Sequence, residues 1–499
     1  MAITLLLDLA ESMDPERLAV GLRQEEITAQ RLSALTTGGA ALIAASGARS
    51  VAFIGVNSPA FPVAMFAAAR AGVPIAPLNY RLAEGALQEL VARLDAPLVV
   101  VDEAYLPVVS GCGVPVLVTS EFMARCATEP AVDLPDVDDA DPAVLLFTSG
   151  TTAAPKCVVL RHQNLQSYVL QTVEPGSAAE GDSALVSVPT YHVAGVGTVL
   201  TNVFAGRRLL YLPNFTPRSW LDLVRQEEVS FAMLVPTMLA RILDELGGEV
   251  PDLPALRTLA YGGARMPQPV LERALRAFPA VDFVNAYGLT ETSSTIAVLG
   301  PEDHRIAFSS DDPAVRARLG SVGRLIPGME GQVRDFDRVV PAGEEGELWV
   351  RGEQVSGEYE GQGSVLDEAG WFPTRDRARM DEDGYVFVLG RSDDVIIRGG
   401  ENIAPAEVED VLLRHPGVAE VAVIGLPDEE WGECLAAVVV PATGAACDVE
   451  ELREWVRSRL RSAKTPDRIV FRGELPHTDT GKLLRRKLYS EFTTAPAGS

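Results

Sequence analysis

Short aliphatic and β-branched runs alternate with helically spaced stretches over most of this chain. VAFIGVN (51–57), LVVVD (98–102), VLVT (116–119), AVLLF (143–147), ALVSVP (184–189), RLLYLP (208–213), FAMLVP (231–236) and LRTLAYGG (256–263) predict strands. Helices are predicted from about Ser58, over Glu84–Leu94, and around Arg218–Glu228, Thr237–Leu246 and Gln268–Ala277. Continuous apolar strands separated by helices point to parallel sheets covered on both faces. After about residue 320 the texture changes: Gly and Pro become dense, and DEDGYVFVLGR (381–391) predicts a hairpin around Asp383–Gly384. Beyond it, Val418–Leu426, Leu435–Pro441, an amphipathic Val449–Leu460 helix and Arg468–Phe471 predict a compact α+β unit, with a boundary near Arg391–Asp394. The expected fold is α/β: a large body of parallel-rich sheets layered with helices, a small β-barrel-like part, and a small C-terminal α+β domain.

Composition narrows the partners. The chain has 499 residues, enough for two or more domains, and Lys+Arg 43 against Asp+Glu 69 leaves a net charge of −26. That field opposes nucleic acid and anionic membranes, so any polyanion must be met in a local pocket. Cys112, Cys126, Cys157, Cys434 and Cys447 are scattered without a C-x-x-C, which suggests reduced thiols in a cytoplasmic enzyme. MAITLLLDLAESMD has no basic leader, and no run approaches the roughly 20 apolar residues that span a bilayer. SPAFPVAMFAAARAG carries Arg70 and reads as a buried helix.

The chemistry is carried by four segments. There is no G-x-x-x-x-G-K-[ST], H-E-x-x-H, G-x-S-x-G or strand-linked G-x-G-x-x-G, and the five histidines lack metal-ligand spacing. In LLFTSGTTAAPKCVV (145–159) an apolar strand opens into Thr148, Ser149, Gly150, Thr151 and Thr152, followed by Lys156. Hydroxyls, free N–H groups and an ammonium at a strand end suit phosphates, although the same residues favour ordinary turns. YGG (261–263) and NAYGLTETSS (285–294) each follow a predicted strand, where pockets of open α/β sheets lie. Glu291 is a candidate Mg²⁺ ligand, or simply an acid in the first turn of a helix. TRD (374–376) and GRSDD (390–394) offer Asp376 and Arg391 to a ribose, or a surface ion pair. Gly481–Lys482 opens a basic C-terminal helix.

Taken together and in this order, TSGTT…PK, YGLTE, GR-x-x-D, GGENI-x-P-x-E-x-E and TGK resemble the adenylate-forming superfamily of acyl-CoA synthetases, over about residues 50–490. The resemblance implies an ATP-dependent acid–CoA ligase: a carboxylic acid, fatty or aromatic, becomes acyl-AMP with loss of pyrophosphate, and the acyl group passes to the CoA thiol. It implies that Thr148–Lys156 is the phosphate loop and that Gly262, Gly263 and Tyr287 surround adenine. Thr290 would bond the α-phosphate, Glu291 would ligate Mg²⁺, and Asp376 and Arg391 would hold the ribose. Lys482 would bridge the acid and the α-phosphate. A mobile small domain (395–499) would turn on the hinge 392–394, at Asp393, against the body (1–391), bringing Arg398, Gly399 and Gly400 to a pantetheine tunnel. PTYHVAG (189–195) supplies His192, Val193 and Gly195 to the acid pocket, with Trp220 and Thr295 as weaker candidates.

Ala153 and Cys157 stand where the family has glycines, and so does Arg375 between Thr374 and Asp376. The segment Gly357–Gly370 is shorter than the family's helix-bearing stretch. The alternatives are a ligase that loads a carrier protein and a catalytically silent nucleotide binder. The acid itself and the oligomeric state are not legible.

Overall fold

A computed structural model describes residues 2–22, 27–148, 155–399, 401–428, 430–442, 444–445, 447–478 and 483–494. Two large mixed sheets form the body. In the first, Pro142–Thr148, Ile75–Pro77, Ser50–Ile54, Pro97–Val101 and Val116–Val118 run parallel, in that spatial order. In the second, Asp282–Leu289, Thr258–Gly262, Phe231–Leu234, Ser183–Val186 and Arg208–Tyr211 do the same.

The expectation of parallel sheets holds at their centres and fails toward their edges. Lys156–Arg161 returns antiparallel to Pro142–Thr148, and Ser294–Leu299 returns antiparallel to Asp282–Leu289. Both links are short, and a parallel crossover needs a dozen residues or more. Among the described residues, the barrel-like part is a five-stranded antiparallel sheet from Glu330–Asp335 to Val386–Arg391. Gly357–Gly370 carries the two-residue strands Glu358–Tyr359 and Gly363–Ser364.

The helix Ala60–Arg70 is buried from Ala60 to Ala69, and Arg70 leaves the core to meet Asp8, Ser33 and Thr36. Small side chains let this helix lie flush on its neighbours, and the terminal guanidinium keeps its charge at the edge. No described helix is long and apolar enough to cross a membrane.

The turn Ser392–Asp394 separates the antiparallel sheet from a last sheet that begins at Ile396–Arg398 and is packed by the helices Pro405–Leu413 and Val449–Arg457. Polar contacts join this unit to the body: Arg265 pairs with Asp410 and donates to the Ala406 carbonyl (3.1 Å), and Arg414 donates to Gln268 (2.7 Å). All five cysteines are free, and burial pushes the thiols of Cys126 and Cys157 up to about 12.

His162 and His304 are enclosed, and burial lowers both to about 4. Neutral His304 bridges the Tyr261 hydroxyl (2.8 Å) and the Gly300 carbonyl (2.7 Å), and His162 Nδ1 accepts the Ile3 N–H (3.2 Å). In the unfolded chain each histidine takes up a proton near its ordinary value of 6.5. Their stabilisation is therefore complete above that pH and is lost as pH falls toward 4, by up to about 1.4 kcal/mol per pH unit for each group. Thermal midpoints should decline over this window, and less steeply in a His162→Gln, His304→Gln double variant. Equal slopes would refute the assignment.

Candidate active site

Two hydrogen-bonded clusters form, the first of them where two strands bulge. In the strand Asp282–Leu289 the register against Ser294–Leu299 slips between Tyr287 and Gly288, which re-aims Tyr287. Its hydroxyl donates to Asp376 Oδ2 at 2.6 Å. Asp376 follows a second bulge, where Thr374–Asp376 oppose Leu348 alone. Thr374 Oγ1 donates to the Leu348 carbonyl (2.7 Å) and accepts the Asp376 N–H (3.1 Å), which fixes the carboxylate. Arg391, facing Asp376 across the ladder, pairs with its other oxygen at 3.1 Å and donates to the Thr374 carbonyl at 2.8 Å. Burial, and then the Asp376 charge, raise the Tyr287 hydroxyl far above its ordinary value, so it remains a donor. The sequence alternative of a surface ion pair fails for Asp376, whose side chain is only 8% exposed.

Glu291 organises the second cluster. Thr290–Thr292 is a single 3₁₀ turn rather than the start of an α-helix, and Ser293 leaves it in the left-handed region. The turn is clamped from outside, with Ser356 and Gly357 N–H donating to the Glu291 carbonyl (2.9 and 3.2 Å) and Gln354 donating to the Thr292 carbonyl (3.0 Å). Tyr359 donates its hydroxyl to Glu291 Oε1 at 2.7 Å. Lys156 Nζ lies 4.9 Å from the centre of the Tyr359 ring. Burial, followed by the Glu291 charge, raises the Tyr359 hydroxyl as well. Sequence reading passed over Tyr359. Its only sequence signal is its place in the short EYEGQG run, and it reaches Glu291 because Glu358–Tyr359 adds a strand beside Lys156–Arg161.

Thr148 and Lys156 pair across the base of the hairpin, while Ser149, Gly150, Thr151 and Thr152, between them in sequence, lie outside the described residues. Ala153, Lys482 and Gly400 lie outside them too. Cys157 points into the core beside Leu145 and Val159. Gly262 abuts the neighbouring strand so closely that a Cβ would sit 2.3 Å from the Ala286 carbonyl oxygen, and Gly263 follows with φ +78°. Contact excludes any side chain at Gly262, the left-handed backbone favours glycine at 263, and the backbone there lies flush beside Tyr287.

The acid-pocket candidates divide. His192 caps the helix Val193–Ala205, its ring 4.6 Å from that of Tyr191. Val193 packs at the edge of the core, and Gly195 is buried where a side chain would meet Pro189 and Thr190, not open space. Thr295 lies in the strand Ser294–Leu299, its carbonyl taken by Gln354 at 2.9 Å. Trp220 is core, fully enclosed among Leu185, Leu210 and Leu239. In the small unit Arg398 is occupied by Asp467 (2.7 Å) and the Ala463 carbonyl (2.8 Å), and Gly399 sits at a hairpin turn under Trp431. Asp393 lies exposed in its 3₁₀ turn.

Arg375 occupies the second bulge with φ +59°, a conformation that suits glycine, and its N–H donates to Glu347 (3.0 Å). Arg375→Gly should therefore stabilise the fold by about 1 kcal/mol, read as a higher first thermal transition. An unchanged or lower transition would show that the Arg375 side chain contributes more than its backbone costs.

Residues 9–360 match the AMP-binding enzyme family, and residues 407–482 match the AMP-binding enzyme C-terminal domain. A feruloyl-CoA synthase of an Amycolatopsis species is 34% identical, the alignment covering 96% of this chain and 97% of the relative. The fatty acid–[acyl-carrier-protein] ligase ScoC of Streptomyces coeruleorubidus is 33% identical over 89% of this chain and 86% of its own. The o-succinylbenzoate CoA synthetase MenE of Bacillus subtilis, solved with the acyl-adenylate intermediate OSB-AMP, superposes with a TM-score of 0.84 at 29% identity, covering 97% of each chain. With both parts matched in order around these clusters, the chain belongs to the AMP-binding enzymes, the adenylate-forming superfamily.

Proposed function

We propose that this protein is an AMP-forming acid–CoA ligase, in which a carboxylate oxygen attacks the α-phosphorus of ATP, pyrophosphate leaves, and the CoA sulfur then displaces AMP from the acyl carbon. The observation that carries this reading is the pair of neighbouring clusters, Tyr287–Asp376–Arg391 and Tyr359–Glu291. Asp376, oriented by Tyr287 and Arg391, accepts from the ribose hydroxyls, and Gly262 and Gly263 let adenine lie against backbone. The hairpin that ends in Thr148 and Lys156 faces the phosphates, and Thr290 bonds the α-phosphate. Joining two anions is slow without positioning and fixed positive charge, and these residues, with Lys482, supply both.

Glu291 suits Mg²⁺ brought with ATP. Its Oε1 is engaged by Tyr359, and no group of three or more His, Cys, Asp or Glu side chains gathers among the described residues to hold a resident ion. Mg²⁺ needs only one or two carboxylates when phosphates complete its shell. Bound there, the ion would neutralise phosphate charge.

The body (1–391) binds ATP and acid, with His192 and Val193 at the acid pocket, while the small domain (395–499) turns at Asp393 and brings Arg398–Gly400 to the pantetheine arm. That turn must release the contacts of Arg265 and Arg414 with the opposite unit. Asp393→Pro fixes φ in the hinge and should spare pyrophosphate exchange while abolishing thioester formation. Equal loss of both would refute the hinge.

The test of function is pyrophosphate release by the full chain with ATP and Mg²⁺ over a panel of fatty and aromatic acids, each with and without CoA. Release and CoA thioester with one class of acid support the reading, and no release with any acid overturns it. The relative named as an acyl-carrier-protein ligase supports a second acceptor, and acyl transfer to a carrier protein but not to CoA would select it.

A further inference from the structure

A cavity of about 230 Å³ opens at the far end of the helix Val193–Ala205, lined by Leu7, Ala10, Val203 and Phe204 and by two arginines, Arg17 and Arg207. Val203 lies ten residues along the helix from Val193, about 15 Å away at 1.5 Å per residue, so the cavity is separate from the candidate acid pocket.

The two arginines differ. Arg17 is fixed as a strut, its Nε donating to the Gly206 carbonyl (2.6 Å) and its Nη2 to those of Ala178 (2.7 Å) and Ala179 (2.6 Å). Among the described residues the Arg207 side chain donates to Asn202 Oδ1 (3.3 Å) and lies over the Phe231 ring at 5.4 Å. Among the described residues no carboxylate pairs with it. Burial, and then the nearby charge of Arg17, disfavour its charged form. Among the described residues, exposed Asp14 is the one acid in the lining. A partly desolvated cation with no carboxylate partner among the described residues is costly in a fold, and a ligand anion offsets that cost.

We propose that this cavity binds a small apolar carboxylic acid, its carboxylate taken by Arg207 and its hydrocarbon lying against Leu7, Ala10, Val203 and Phe204. A cavity of about 150 Å³ holds benzene, so this one suits a six-carbon or single-ring acid. The proposal does not depend on the ligase reading.

The probe is 6-bromohexanoate, titrated against the full chain and located in crystals by bromine anomalous scattering. A peak in the cavity is expected, with affinity there about tenfold weaker in Arg207→Gln, as for a lost charge-assisted hydrogen bond. Ala10→Trp, which fills the space, should remove the peak while leaving any binding in the acid pocket. Three results would each overturn the proposal: no peak at concentrations that saturate binding in solution, unchanged affinity in Arg207→Gln, or equal occupancy by neutral 6-bromohexanol.

Discussion

Lys482→Ala is expected to lower acid-dependent pyrophosphate exchange by about 10²–10³-fold, as for loss of one preorganised charge at a developing anion. The same variant should transfer a supplied acyl-adenylate to CoA within a few-fold of the parent rate. The reasoning is electrostatic. Before attack, a carboxylate and a triphosphate must meet inside a chain whose net charge is −26, and they repel at contact range. Arg391 is paired with Asp376, and the role proposed for Lys482 is to place a further positive charge between the two reactants. Once the mixed anhydride exists, the thiol attacks a neutral acyl carbon and that cation is no longer needed. A loss of equal size in both half-reactions would overturn the role given to Lys482, and unchanged exchange would overturn the mechanism.

Asp376→Ala should be comparably severe and of a different kind. It removes the acceptor proposed for the ribose and also strands the Tyr287 hydroxyl and the Arg391 guanidinium, which meet its two oxygens at 2.6 and 3.1 Å. Hydrogen bonds to a charged group are worth about 1.5–3 kcal/mol each, and two lost together correspond to about 10²–10⁴ in kcat/KM for ATP. AMP binding measured by calorimetry should fall in parallel. Tyr287→Phe provides the control. It leaves the carboxylate and its arginine in place, so its loss should stay near tenfold. If Tyr287→Phe equals Asp376→Ala, the cluster supports the fold and does not hold the nucleotide.

The body of the fold is legible where its strands are wholly buried: the segments 51–54 and 184–186 read as apolar runs, and helix periodicity locates Gln268–Ala277 to the residue. The antiparallel returns are not legible that way, since the same apolar runs serve either direction and only loop length distinguishes them. Asp376 and Glu291 stand out as motif residues, but their partners do not. Tyr359 comes to Glu291 from 68 positions away through an added strand, and Tyr287 meets Asp376 only because two bulges turn both side chains toward one another. A bulge breaks the two-residue alternation on which a strand is recognised, so the pattern is weakest where the candidate chemistry lies. Trp220 illustrates the converse: an aromatic weighed for the candidate acid pocket is sealed into the core by the amphipathic helix that carries it.

Cys157 follows the very lysine that closes the hairpin, yet its sulfur is turned inward and held in the thiol form. An enzyme that builds an activated acyl group for a thiol acceptor is exposed to self-acylation by any thiolate of its own within reach. Exchanging a loop-end glycine for a cysteine would seem to invite that side reaction. The strand register answers it, because only the thiolate is an effective nucleophile and the core suppresses its formation.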